Sequence, residues 1–207
     1  MVADLIPPGL VVADIGTDHA FLPVHLVRQG ICARAVASDI EVGPLRNAAK
    51  NIKRAGLDET IELRQSDGFV SFAATDAQCW VLAGMGGTLM VRLLEAAPWL
   101  CQPDTVIVAQ PMSRDYELRD WFISHGFIIE QEAVCRDTGR SYLALRAVYG
   151  GQVKGYSPGY AYYGELLHNK SVLSHEYLLR ERELLRVRLQ HDAQLKGAYD
   201  DFCAKHI

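Results

Sequence analysis

The chain has 207 residues, 49% hydrophobic and 22% charged, with a net charge of −4. That length holds one good core with a small appendage, and the composition is that of an ordinary soluble globular protein. It excludes a membrane helix, for which no run of roughly 20 apolar residues exists, and a global basic field of the kind that advertises nucleic-acid binding. Cys32, Cys79, Cys101, Cys135 and Cys203 are odd in number and widely spaced, with no C-x-x-C. They predict reduced thiols in a cytosol and no zinc cluster or disulfide framework. The N-terminus lacks the basic-then-apolar pattern of a signal peptide, so the expected location is cytoplasmic.

Residues 10–15 read as a buried strand that hands over, through Asp14-Ile15-Gly16-Thr17-Asp18-His19-Ala20, to a helix over 20–29 closed by Gly30. A second strand, 35–39, ends in Asp39. The next helix, 43–55, carries Pro44 in its first turn and Gly56 at its end. A third strand over 61–63 precedes Gln65-Ser66-Asp67-Gly68. A fourth, 79–83, runs into Gly84-Met85-Gly86-Gly87, and a helix over 89–97 stops at Pro98. A fifth strand over 105–109 meets Gln110-Pro111, followed by a helix over 114–125. Strands over 127–133 and 142–148, joined by Asp137-Thr138-Gly139-Arg140, are close enough to form a hairpin. Five helix-linked strands plus a terminal hairpin predict an α/β fold. Its sheet is expected to be mainly parallel and seven-stranded, with one antiparallel strand, as in Rossmann-like methyltransferases.

Gly155, Pro158 and Gly159 read as a linker. Beyond it apolar pairs recur, among them Leu166-Leu167, Tyr177-Leu178 and Leu184-Leu185, the last two seven residues apart. This predicts an amphipathic helix or helical hairpin able to pack on itself or on a partner. The expected division is a cofactor-binding domain over 1–152 and a helical domain over 153–207.

The first turn discriminates between cofactors. A dinucleotide site wants G-x-G-x-x-G so that a pyrophosphate rests on a helix N-terminus. Here Gly16 stands alone and Asp18 occupies the place of the second glycine. A carboxylate repels a pyrophosphate, which counts against a nicotinamide oxidoreductase. It suits S-adenosylmethionine, which has no phosphate and carries a sulfonium and an ammonium group. Asp39 ends the second strand, where an acid accepts hydrogen bonds from both ribose hydroxyls. The cofactor set is then Asp14, Gly16, Thr17, Asp18 and His19 in the first turn, and Asp39 with Ile40 after the second strand. Asp67 and Gly68 follow the third strand, and Gly84, Met85 and Gly86 the fourth. Taken singly, these residues also read as helix caps, turn glycines and a backbone-bonded histidine. No metal site is expected.

The stretch Asp14 to Pro23 resembles the D-I-G-S/T-D-H-A-Y/F-L-P signature of the TrmK-like tRNA (adenine(22)-N(1))-methyltransferases. The similarity continues through Gly43-Pro44, Asp67-Gly68, Ala83-Gly84-Met85-Gly86-Gly87, Gln110-Pro111 and Gly139-Arg140-Ser141-Tyr142. It implies a class I methyltransferase domain with a helical, coiled-coil-like C-terminal domain. It also implies S-adenosylmethionine as donor and adenine 22 of a tRNA as acceptor. Two departures stand out: no L-x-x-R-L helix precedes the first strand, and the tail is shorter than the family's.

Methylation of adenine ring nitrogen 1 uses an in-plane lone pair that needs no prior deprotonation, so alignment and desolvation are the protein's main tasks. Asp18 is the expected catalytic group, accepting from the exocyclic amine, or else the holder of the cofactor's ammonium; His19 orients it. Gly84 to Gly87 lacks the N/D-P-P-Y/F that exocyclic-amine methyltransferases place there, which favours the ring nitrogen. Arg114, Arg140, Arg180 and Arg186, together with Arg182 and Arg188 of the same tail helix, are candidate contacts for tRNA phosphates. On the tail helix the competing reading is a solvated face paired with Glu176, Glu181 and Glu183. A monomer and a homodimer through the tail both fit. A small-molecule methyltransferase on the same fold and a non-catalytic RNA-binding protein are the rival functions.

Overall fold

The computed structural model describes residues 1–153 and 155–205. Seven strands form one sheet: β1 (Val12–Ile15), β2 (Ala35–Asp39), β3 (Ile61–Gln65), β4 (Cys79–Met85), β5 (Val106–Pro111), β6 (Phe127–Asp137) and β7 (Arg140–Tyr149). Their order is β3-β2-β1-β4-β5-β7-β6. The pairs β3–β2, β2–β1, β1–β4 and β4–β5 are parallel, and β7 runs antiparallel to both neighbours. This is the expected mainly parallel sheet with one reversed strand.

Helices α1 (Phe21–Arg28) and α2 (Val42–Ala55) cover one face, and α3 (Gly87–Glu95) and α4 (Asp115–Ser124) the other. Alternation along β1 divides the core between them. Val12 packs with Leu26, Ala48 and Ile52, while Ala13 and Ile15 pack with Met90, Leu94 and Leu118. All four β1 residues are buried, as a central strand of a doubly covered sheet requires.

The connection from β3 to β4 differs from the expected pattern, for residues 66–78 form turns rather than a helix. The Ser66 hydroxyl donates to the Gly68 carbonyl and accepts from the Ser71 amide. Phe69 and Phe72 pack edge-to-face on Trp80. Side-chain hydrogen bonds thus replace a helical ladder, and aromatic contacts replace a helical apolar stripe.

At the C-terminal end come α5 (Tyr160–Tyr163), a 3-10 turn (Gly164–His168), the long α6 (Val172–Leu189) and the short α7 (Lys196–Cys203). The Ser171 side chain caps α6 by accepting from the Ser174 amide. Its buried stripe is Ser174, Tyr177, Leu178, Glu181 and Leu185, spaced three and four apart. Of the apolar pairs, Tyr177 and Leu178 both point inward, whereas Leu185 is buried and its neighbour Leu184 exposed. Among the described residues α6 has no second long helix beside it. It packs instead on β6, the preceding 3-10 turn and α7.

A buried ionic cluster fastens this end to the sheet. Arg119 on α4 is fully buried and donates to Asp115, to Glu132 on β6 and to the Ala161 carbonyl of α5. Tyr177 of α6 donates to the same Asp115 oxygen at 3.1 Å. No helix among the described residues is long and apolar enough to cross a membrane.

Candidate active site

Because β1 to β5 are parallel, their carboxyl ends lie along one edge. The connections from β1 and β4 leave in opposite directions there, so a crevice opens between them. A cavity of about 350 Å³ occupies it, lined by Gly16, Asp39, Ile40, Asp67, Gly68 and Met85 together with Ile15 and Ser66. Leu89, Arg92 and Leu93 of α3 complete the wall.

Two glycines set the cavity's shape. Gly16 has φ +77°, and a Cβ there would press into the Met85 methyl. At Gly68, φ +54°, a Cβ would meet Leu93 at 2.5 Å. Both positions combine a left-handed backbone with a close approach to a side-chain end, so a larger residue there would be strained and would displace Met85 or Leu93.

The turn after β1 is held from below. The Gly16 and Thr17 amides both donate to the Ser38 carbonyl, at 2.8 and 2.7 Å. Asp14 is buried and accepts from the Thr17 hydroxyl at 2.6 Å. Burial pushes its pKa up to about 6; the Thr17 hydrogen bond opposes this and the nearby Asp39 charge adds to it. Asp14 therefore stands beneath the turn, outside the cavity wall. Asp39 accepts from the Glu41 amide at 3.0 Å on one oxygen and from the Asp18 amide at 3.2 Å on the other. An ionised carboxylate has about four acceptor positions, so two remain for a ligand.

Asp18 and His19 form the rim. Asp18 and Ala20 are non-glycine residues with φ +52° and +55°, a costly conformation that tends to mark functional turns. The Asn51 side chain of α2 donates to the His19 carbonyl at 2.9 Å and holds this shape. The Asp18 carboxylate is exposed, 3.4 Å from His19 Nε2, and the His19 ring stacks on exposed Phe21. Opposite them, the turn after β4 is fixed by Gln110, whose Oε1 accepts from the Gly84 amide. Gly84 near the end of β4 and Gly86 between β4 and α3 sit, like Thr17, Asp18 and His19, next to cavity residues without lining the cavity themselves.

A second cavity of about 380 Å³ lies further along the same edge, over β5 and β7. Arg114 comes from the β5–α4 turn, Arg140 from the start of β7 beside the β6–β7 turn, and Arg180 and Arg188 from α6. Four of the six arginines named from the sequence thus converge. Arg186 does not: it faces away and makes two hydrogen bonds to Glu183. The sequence reading missed the α3 residues Leu89, Arg92 and Leu93, whose three-and-four spacing after the glycine turn was the available signal. It also missed Glu181 and Tyr142 as cavity residues, and only the placement of α6 over the sheet edge reveals them.

The group that fits the first cavity is constrained by its walls. Ile15, Ile40, Met85, Leu89 and Leu93 offer apolar walls, and Asp39 and Asp67 offer acceptors that outnumber the single cation, Arg92. Acid and apolar surface suit a phosphate-free, cationic nucleoside and repel a pyrophosphate.

Comparison with known proteins agrees with this geometry. A family model described as a methyltransferase domain matches residues 1–145. The tRNA (adenine(22)-N(1))-methyltransferase of Bacillus subtilis (strain 168) is 32% identical over 155 residues, covering 75% of this chain and 65% of that protein. The chain thus matches just under two thirds of that curated relative. The solved structure of the B. subtilis m1A22 tRNA methyltransferase TrmK superposes with a TM-score of 0.81 at 26% identity, over 99% of this chain and 92% of that one. A Streptococcus pneumoniae protein solved in complex with S-adenosyl-L-methionine gives a TM-score of 0.84 at 30% identity, over 99% and 95% of the two chains.

Proposed function

The chain belongs to the methyltransferase-domain family, on its TrmK-like branch, and we propose that it transfers a methyl group from S-adenosylmethionine to ring nitrogen 1 of adenine 22 in tRNA. The observation that carries this reading is the acid-and-apolar cavity at the carboxyl ends of β1 to β4, rimmed by an exposed, strained Asp18. Residues 1–152 would bind the cofactor and 153–207 would complete the RNA side. The tRNA substrate would place the activity in the cytoplasm.

Asp39 would accept from the two ribose hydroxyls with the acceptor positions its backbone partners leave open. Ile40, Met85 and Leu89 would flank the adenine, with Asp67 and the Gly68 backbone at its edge. When bound, S-adenosylmethionine supplies an electrophilic methyl group on a cationic sulfur. The target adenine must leave its stack, since its Watson–Crick edge is covered within a helix. Its N1 lone pair lies in the ring plane, so no residue has to remove a proton before attack. The purine gains positive charge as the new bond forms. Asp18 would accept from the exocyclic amine and hold that charge, with His19 steadying the carboxylate at 3.4 Å.

The test is transfer of labelled methyl to unmodified tRNA, with Asp18→Ala in parallel. The expected label is 1-methyladenosine at position 22, falling about 100-fold or more in the variant while calorimetric cofactor binding persists. Cofactor binding with no label in tRNA would overturn the tRNA assignment and point to a small-molecule acceptor.

A further inference from the structure

The second cavity deepens the tRNA reading and rests on it. We infer that the cavity between the β5–α4 turn, the β6–β7 turn and α6 grips an RNA backbone phosphate beside the adenosine being methylated, through Arg114, Arg140, Arg180 and Arg188.

Four guanidinium groups from three sequence-distant segments share about 380 Å³. Like charges gathered this way repel one another unless an anion joins them. Two carboxylates line the same space, and neither supplies that anion in full. Asp115 is already held by Arg119 at 2.7 Å and by the Tyr177 hydroxyl at 3.1 Å. Glu181 is pushed up to about 7, first by burial and then by Asp115, so its negative charge is only partly present near neutrality. A cationic excess remains.

The arginines divide into anchored and free. Arg114 is paired with Glu117 at 2.6 Å. Arg188 lies over the Tyr116 ring at 4.4 Å, and its Nη1 is buried with no hydrogen-bond partner among the described residues. An orphaned buried donor is costly, and a phosphate oxygen would satisfy it. Arg140 and Arg180 are exposed and make no ion pair among the described residues. Two anchored guanidinium groups and two exposed ones, unpaired among the described residues, make a site that is partly preformed and accessible to a ligand. The exposed pair also leaves room for a continuous backbone to pass, which favours a phosphodiester over an enclosed mononucleotide.

Position ties the cavity to the chemistry. Its wall at Met112 and Ser113 is hydrogen-bonded to the turn after β4: the Met112 amide donates to the Met85 carbonyl, and the Gly87 amide to the Ser113 carbonyl, each at 2.8 Å. Met85 lines the cofactor cavity. A strand held by its phosphate in one cavity is therefore next to the other.

The experiment measures tRNA affinity and methyl-transfer kinetics against salt for the wild type, Arg140→Gln, Arg180→Gln and the double variant. Arg34→Gln, at the amino edge of the sheet, is the control. All three substituted positions are exposed, so folding is not at risk. Each cavity variant is expected to lower the slope of log affinity against log salt by about one. The double variant is expected to raise KM for tRNA at least 10-fold, with cofactor affinity and the control unchanged. Wild-type transfer to tRNA tests the underlying reading separately. Given that transfer, an unchanged slope and KM in the double variant would overturn the phosphate site. So would competition by adenosine monophosphate that vanishes in the double variant while tRNA binding stays intact, since the cavity would then be a mononucleotide site.

Discussion

One edge of one sheet carries two cavities of similar size and opposite character. Over β1 to β4 the walls are acidic and apolar; over β5 and β7 they are cationic. A single pair of hydrogen-bonded turns separates them. The difference follows from where the acids sit. In the first region Asp39 presents unsatisfied acceptors to the cavity. In the second, Asp115 is consumed by a buried arginine and a tyrosine, so the exposed arginines dominate. Burial of the counter-charge decides the sign of each cavity, and the two signs match a cationic methyl donor and a polyanionic acceptor.

The comparison is most severely broken at Arg119. Its side chain is fully buried between Asp115 and Glu132. Arg119→Met keeps most of the volume and strands two carboxylates in the interior. Removing one partner of a buried ion pair costs about 3–5 kcal/mol, so thermal unfolding should move down steeply. Cofactor affinity measured below the transition should survive, because the first cavity makes no use of this cluster. A variant as stable as the wild type would show that the cluster does not fasten α6 and the cationic wall to the sheet.

Asp14 sharpens the other side. Its pKa rises from 3.8 to about 6 on folding, mainly through burial. The folded state binds this proton more tightly, so the stability it lends is complete below about pH 4 and is lost as the pH rises through 6. The full shift corresponds to about 3 kcal/mol. Asp14→Asn has no such titration. Denaturant unfolding of both proteins between pH 4 and 8 should show the variant gaining on the wild type as the pH rises, provided its amide oxygen still accepts from Thr17. A difference independent of pH would mean that Asp14 is not titrating beneath the turn.

Most of this fold was legible because local signals agreed. Apolar runs ended in Asp14 and Asp39, and Pro44 and Gly56 bracketed a helix. The glycine-rich turn after β4 marked a strand's end. The lining of the first cavity was legible for the same reason, since each of its sequence-predicted residues sits at or just after the end of a strand. What was hidden depends on long-range placement. Ser66 organises residues 66–71, and Asp76 holds Ala73, through side-chain hydrogen bonds that no periodicity announces. Glu132 looks like an ordinary strand residue until Arg119 meets it. Asp14 reads as a ligand contact by position, yet it lies off the cavity wall with its carboxylate accepting from Thr17.

The smallest expected effect separates two arginines that the sequence treats alike. Arg180 and Arg186 lie on the same helix among the same glutamates. Residues 180, 184 and 188 stack at four-residue intervals and line the cationic cavity, whereas 186 falls on the opposite side of the helix. There it is paired with Glu183, both side chains about half exposed, and such surface pairs contribute 1 kcal/mol or less. Arg186→Gln should therefore change tRNA affinity by less than about twofold and leave the salt slope nearly intact, while Arg180→Gln should lower the slope by about one. Equal effects would mean that charge on the tail counts without regard to direction. The cationic cavity would then be a diffuse field rather than a site. Unequal effects in the expected sense would make helical phase, rather than arginine count, the property that gives α6 its role.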